Sequence, residues 1–165
     1  MTRALALALL AALALPGCNL QPLYAGGGKG AVAQALRGVE VAPIPGKAGW
    51  LMRNALNDRL AAAGPGEARY RLEVELDDQL TGFGVRTDNA VTRERRTLRA
   101  RYKRLDGTTV VVDATAGSDA GIDVVSSEYA TIAAEQTALE NLTNEVADQI
   151  VTRLALYARH TAQEP

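Results

Sequence analysis

Between Tyr70 and Asp77 the chain alternates without a break, with Tyr70, Leu72, Val74 and Leu76 on one side of an extended backbone and Arg71, Glu73, Glu75 and Asp77 on the other. Successive side chains of a strand point to opposite faces, so a period of two this regular specifies a strand with one face for a core and one for water. From Val91 to Leu105 the pattern returns with more charge: Leu98, Ala100 and Tyr102 share one face, while Arg95, Thr97, Arg99, Arg101 and Lys103 share the other. Asp106-Gly107 then closes a turn. Residues 70 to 116 read as a three-stranded antiparallel meander whose first hairpin ends in a long loop around Gly82 to Ala90.

Patterning also gives a register. A three-residue loop of Leu105, Asp106 and Gly107, with Gly107 left-handed, sets Tyr102 opposite Val110, Ala100 opposite Val112, Leu98 opposite Ala114 and Arg99 opposite Asp113. A two-residue loop would put Ala100 against Asp113 on the buried face. In the first hairpin, Tyr70 opposite Tyr102 places Glu73 beside Arg99 and Asp77 beside Arg95.

The flanking segments supply the other layer. Val39 to Ala42 makes a short strand, ended by Pro43 and Pro45. From Ala48 to Ala63 apolar residues recur at three- and four-residue spacing until Gly64-Pro65-Gly66 stops the helix. Trp50, at its start, reads as partly buried. A last helix, capped by Ser126 or Ser127, carries Tyr129, Ile132, Ala133, Leu139, Leu142, Val146, Ile150, Leu154 and Tyr157 on one stripe and spans nearly thirty residues. Gln136 and Thr143 within it count against a coiled coil. The expected fold is an α+β two-layer sandwich in the order β-α-β-β-β-α, with two helices on one face of a four-stranded mixed sheet. The first strand should pair in parallel with the second if they are neighbours.

The amino terminus reads as an export leader. An unbroken apolar run from Ala4 to Leu15 is too short to span a bilayer and ends in Leu15-Pro16-Gly17-Cys18. Small residues before a cysteine match lipoprotein processing, in which the cysteine sulfur receives a lipid. Cys18 is the one cysteine of the chain, so no intramolecular disulfide can form. Asn19 in place of aspartate after it favours the outer membrane. Removing residues 1 to 17 takes away Arg3 and leaves seventeen basic against nineteen acidic side chains. Residues 18 to 38 are expected to be a lipidated start and flexible linker, 39 to 158 a single domain, and 159 to 165 a tail. The linker glycines do not make a phosphate loop, because Gly30 follows Gly28-Lys29 where Ser or Thr is required.

Chemistry for catalysis is scarce. The one histidine, His160, lies near the carboxyl terminus, and the one cysteine is assigned to lipid. An enzyme is not expected, nor a metal or cofactor. Charge concentrates instead in Arg86, Arg93, Arg95, Arg96, Arg99, Arg101, Lys103 and Arg104, eight basic residues in nineteen positions, offset there by Asp88 and Glu94. Arg99 and Arg101 read as part of a solvated strand face neutralised by Glu73, Asp77 and Asp113. Toward the hairpin tip fewer acidic neighbours are expected, so Arg86, Arg93, Arg95 and Arg96 are candidates for binding phosphate or carboxylate through the planar guanidinium fork. Nucleic acid is not the expected partner of an exported, slightly acidic chain.

Two segments resemble a known family. Cys18-Asn19-Leu20-Gln21-Pro22-Leu23-Tyr24 is similar to the start of the LPS-assembly lipoproteins of the LptE family. Tyr129-Ala130 through Ala134-Glu135, with Ala147-Asp148-Gln149-Ile150-Val151-Thr152-Arg153-Leu154-Ala155, resembles their last helix. The resemblance implies an outer-membrane plug that assists assembly of the LptD β-barrel and can bind lipopolysaccharide. Arg86 falls where relatives carry a basic loop residue, while Thr131 stands where some carry a second cation. Lipid A phosphates and acidic core sugars would be the anions met by the tip. A free-standing periplasmic lipoprotein binding a small ligand or peptidoglycan is the alternative.

Overall fold

The alternating segments form the frame of the molecule, and everything else packs on one of its faces. The computed structural model describes residues 30–85 and 91–162. In order come α1 (Ala31–Arg37), β1 (Val39–Val41), α2 (Gly46–Ala61), β2 (Tyr70–Val85), β3 (Val91–Asp106), β4 (Thr109–Asp123) and α3 (Glu128–Thr161). The sheet order is β1-β2-β3-β4. β1 runs parallel to β2, with Val39 against Tyr70 and Val41 against Leu72, and the other pairs are antiparallel. The expected α+β arrangement with a mixed four-stranded sheet is present. The leader, Cys18 and Arg86 lie outside the described residues.

Even-numbered positions of β2, β3 and, from Val112 onward, β4 face the helices, as do Val39 and Val41 of β1. Leu72, Leu98, Ala100 and Tyr102 are buried there against Met52 and Leu56 of α2 and Val146, Ile150 and Leu154 of α3. Each such large apolar side chain removed from water contributes about 1.5–3 kcal/mol. α3 runs 34 residues without proline or glycine, and the Ser127 side chain caps it by accepting from the Ala130 backbone N–H. At α2, Gly49 is required by close approach: a Cβ there would stand 2.5 Å from the Ile44 carbonyl oxygen.

Several expectations need correction. Residues 31–37, placed in the linker, form a helix whose Val32, Ala33 and Leu36 are buried. The first hairpin is shifted by four residues: Tyr70 faces Asp106, Val74 faces Tyr102, Glu73 faces Lys103 and Asp77 faces Arg99. The strands therefore run further into the expected Gly82 to Ala90 loop. The second hairpin has a two-residue loop, Gly107-Thr108, between paired Asp106 and Thr109, with Gly107 at φ 60°. A bulge follows, so that Leu105 faces Val110 but Arg104 faces Val112. That extra residue restores the alternation which a plain two-residue loop would have inverted. Tyr102 consequently faces Ala114, Ala100 faces Ala116, Leu98 faces Ser118, and β4 reaches Asp123 instead of ending near residue 116.

Trp50 is 63% exposed. Tyr129 and Ile132, assigned to the buried stripe of the last helix, are 83% and 54% exposed, and Ala133 is exposed as well. The cause is a mismatch of lengths. α3 is about 50 Å long and α2 about 24 Å at 1.5 Å per residue, and the start of α2 at Trp50 lies beside Glu140 and Thr143. The first turns of α3 pass beyond it and keep only Thr131 buried.

Candidate functional site

The sequence reading points to the far end of the β2–β3 hairpin, where the wet face of the sheet is arginine-rich. Arg93 and Arg95 are on that open face and exposed. Arg93 Nε donates to Asp123 at 3.0 Å, and Arg95 stands 3.5 Å from Asp119. The Arg95 guanidinium also lies 5.5 Å from the centre of the Phe83 ring. Arg96, one residue on, points to the helix side. There it holds Asp78 through two hydrogen bonds of 2.6 and 2.8 Å and donates to the Glu135 carbonyl oxygen at 2.9 Å. The hydrogen bonds to Asp78 hold its guanidinium above its usual range, against the opposing effect of burial.

The four expected anion-binding residues are thus not one cluster. Arg93 and Arg95 share the open face, Arg96 ties the hairpin to α3, and Arg86 lies outside the described residues. The expectation of few acidic neighbours also fails, because β4 continues past residue 116 and brings Asp119 and Asp123 alongside. Nearer the base of the sheet, Arg101 holds Asp113 at 3.0 and 3.2 Å, which leaves it part of the solvated face.

Behind Arg96, Glu94 approaches Glu135 from the sheet side. Burial, with the Glu135 carboxylate beside it, pushes the Glu94 carboxyl up from its ordinary range. One of its oxygens is enclosed without a hydrogen-bond partner.

Exposed apolar side chains at this end were not anticipated. Leu80 and Phe83 of β2, Val125 in the connection and Tyr129 and Ile132 of α3 are between 40% and 83% exposed. Phe83, the one phenylalanine of the chain, was the available signal, but it fell inside the expected loop. Cations and apolar groups at one end suit an amphipathic ligand or partner, with guanidinium for anionic groups and open hydrocarbon for apolar ones. Among the described residues no group of three His, Cys, Asp or Glu side chains could hold a metal ion.

A helix-backed mixed sheet with exposed, ion-paired arginines and apolar side chains at the end of one long hairpin suits a binding or assembly module. The family model for lipopolysaccharide-assembly proteins, LptE, matches residues 36–154, and the chain belongs to that family. Among solved structures it is similar to a protein from Caulobacter crescentus CB15 assigned as a lipoprotein, at 27% identity and TM-score 0.64, covering 78% of this chain and 96% of that one. It shares its fold with the rare lipoprotein B from Shewanella oneidensis at 10% identity and TM-score 0.60, over 76% of this chain and 97% of that one. The same holds for a minor lipoprotein from Acinetobacter baumannii at 13% identity and TM-score 0.58, over 72% and 88%. No curated protein sequence matches.

Proposed function

We propose that this chain is a non-enzymatic outer-membrane lipoprotein, anchored through acylated Cys18, that plugs and assists assembly of an LptD-type β-barrel and helps deliver lipopolysaccharide to the cell surface. The observation that carries the role is the family match across residues 36–154, nearly the whole folded domain. The hairpin tip supports a place for lipid contact. The ion pairs of Arg93 and Arg95 are exposed on both sides, and such pairs are worth only about 0–1 kcal/mol. A lipid A phosphate can therefore compete for either guanidinium, while Phe83, 5.5 Å from Arg95, offers apolar surface beside it.

Alanine at Arg86, Arg93 and Arg95 together is expected to weaken lipopolysaccharide binding by purified, leader-free protein roughly tenfold, the equivalent of one charge-assisted hydrogen bond. Arg96 is kept, since its loss would disturb the docking of α3. Unchanged binding in a folded triple variant would remove the tip from this role.

A further inference from the structure

β4 is a 15-residue edge strand. Long free edges are templates for strand addition, and proteins usually blunt them with proline, lysine or cover. β4 has neither proline nor lysine. The Val124 N–H donates to Thr92, so even-numbered residues at the end of β4 bond inward. By the alternation of an antiparallel ladder, Asp113, Thr115, Gly117, Asp119 and Gly121 turn their N–H and C=O groups outward.

At Gly117 something already answers them. The Gln149 carboxamide, reaching from α3, accepts from the Gly117 N–H and donates to its C=O, both at 3.3 Å. One side chain thus makes the two bonds that a neighbouring strand would make. On the helix side, Ala114, Ala116, Ser118 and Ala120 are small, and they leave two grooves between β4 and α3 of about 430 and 490 Å³. The first is walled by Tyr102, whose buried hydroxyl has no hydrogen-bond partner. Backbone groups facing out beside an unfilled trough are what a sheet lacking its fifth strand presents.

We infer that β4 is a strand-addition site for an extended segment of the partner barrel protein, with Gln149 occupying one position until that segment arrives. The inference rests on the partnership proposed above. Charge selects the occupant. Asp113, Asp119 and Asp123 line the open-face side, each in an exposed ion pair with an arginine of β3 that an added cation can displace. On the helix side Glu145 and Asp148 are offset by Arg153 and by the bond of Asp148 to Arg59. The added strand therefore carries Arg or Lys at the alternate positions that meet the open face. A second copy of this chain is disfavoured, because edge-to-edge pairing would bring both sets of aspartates together.

The test is residue-resolved amide hydrogen exchange on the full mature protein, alone and in the detergent-extracted barrel complex, with wild type and Gln149→Ala. In the complex, the Thr115, Gly117 and Asp119 amides should slow at least about a hundredfold relative to the free protein. Gln149→Ala should speed exchange at Gly117 in the free protein and leave it as slow as wild type in the complex. A complex in which these amides exchange as in the free protein overturns the inference and leaves the barrel partnership standing. Recovery of no barrel overturns both. Slowing that grows with concentration of the free protein identifies a second copy as the occupant and overturns the inference, as does Gly117 protection in the complex that is lost with Gln149.

Discussion

Arg104 shows how little a buried charge here depends on ion pairing. It is 3% exposed, with Nε and Nη1 lacking hydrogen-bond partners, and its guanidinium lies 3.6 Å from the centre of the Tyr70 ring and 5.7 Å from that of Tyr157. Cation–π contact returns about 0.5–2 kcal/mol, while each unbonded buried polar group costs about 1–3 kcal/mol. The two nearly cancel. Arg104→Met, of similar length, is expected to unfold within about 1 kcal/mol of wild type in urea, on the stabilised side. A loss beyond about 2 kcal/mol would mean that the guanidinium contributes more than ring contact. From sequence Arg104 was counted with the basic run. Its even number places it on the face of Leu98, Ala100 and Tyr102, and that parity was the available signal.

Between elements, the joint of the hairpin with the start of α3 is charged on both sides. Arg96 bonds Asp78 and the Glu135 carbonyl oxygen, and Glu94 stands against the Glu135 carboxylate. A carboxyl whose pKa is raised in the fold binds its proton more tightly folded than unfolded. Its stabilising contribution is therefore full below the unfolded pKa and is lost as pH rises through the folded one. Glu94→Gln should raise the thermal midpoint at about pH 7 and leave it unchanged at about pH 4. Equal effects at both pH values would show that the pair does not set the joint's pH response. What sequence could and could not say follows the same elements. The buried faces of β2, β3 and β4 were legible because side-chain parity is written in the alternation. Register was not, because a shift of four residues preserves parity, and the bulge beside Val111 leaves no mark in a run of three valines. α1 was hidden because seven residues after a glycine-rich stretch hold too few turns to show a period. The reach of β4 to Asp123 was missed because Ala-Gly-Ser-Asp-Ala-Gly has weak strand propensity, and with it went the acidic partners of Arg93 and Arg95.

The whole molecule is organised end to end. β4 turns backbone groups outward that Gln149 satisfies at Gly117, and the far end of the hairpin and the first turns of α3 gather exposed cations with Phe83, Leu80, Val125, Tyr129 and Ile132. A protein that worked alone would have reason to cover these surfaces, and a subunit held by a larger partner would use them. Trp50, 63% exposed at the start of α2, belongs to the same set of uncovered side chains and was misjudged because an amphipathic helix does not reveal which neighbour is missing. The partnership proposed for this LptE-family chain is with an outer-membrane barrel. The direct measurement is affinity purification of the native, lipidated protein from detergent-solubilised membranes, with the stoichiometry of whatever accompanies it. A large β-barrel protein in one-to-one ratio is expected; recovery of the chain with no such barrel bound would rule the partnership out.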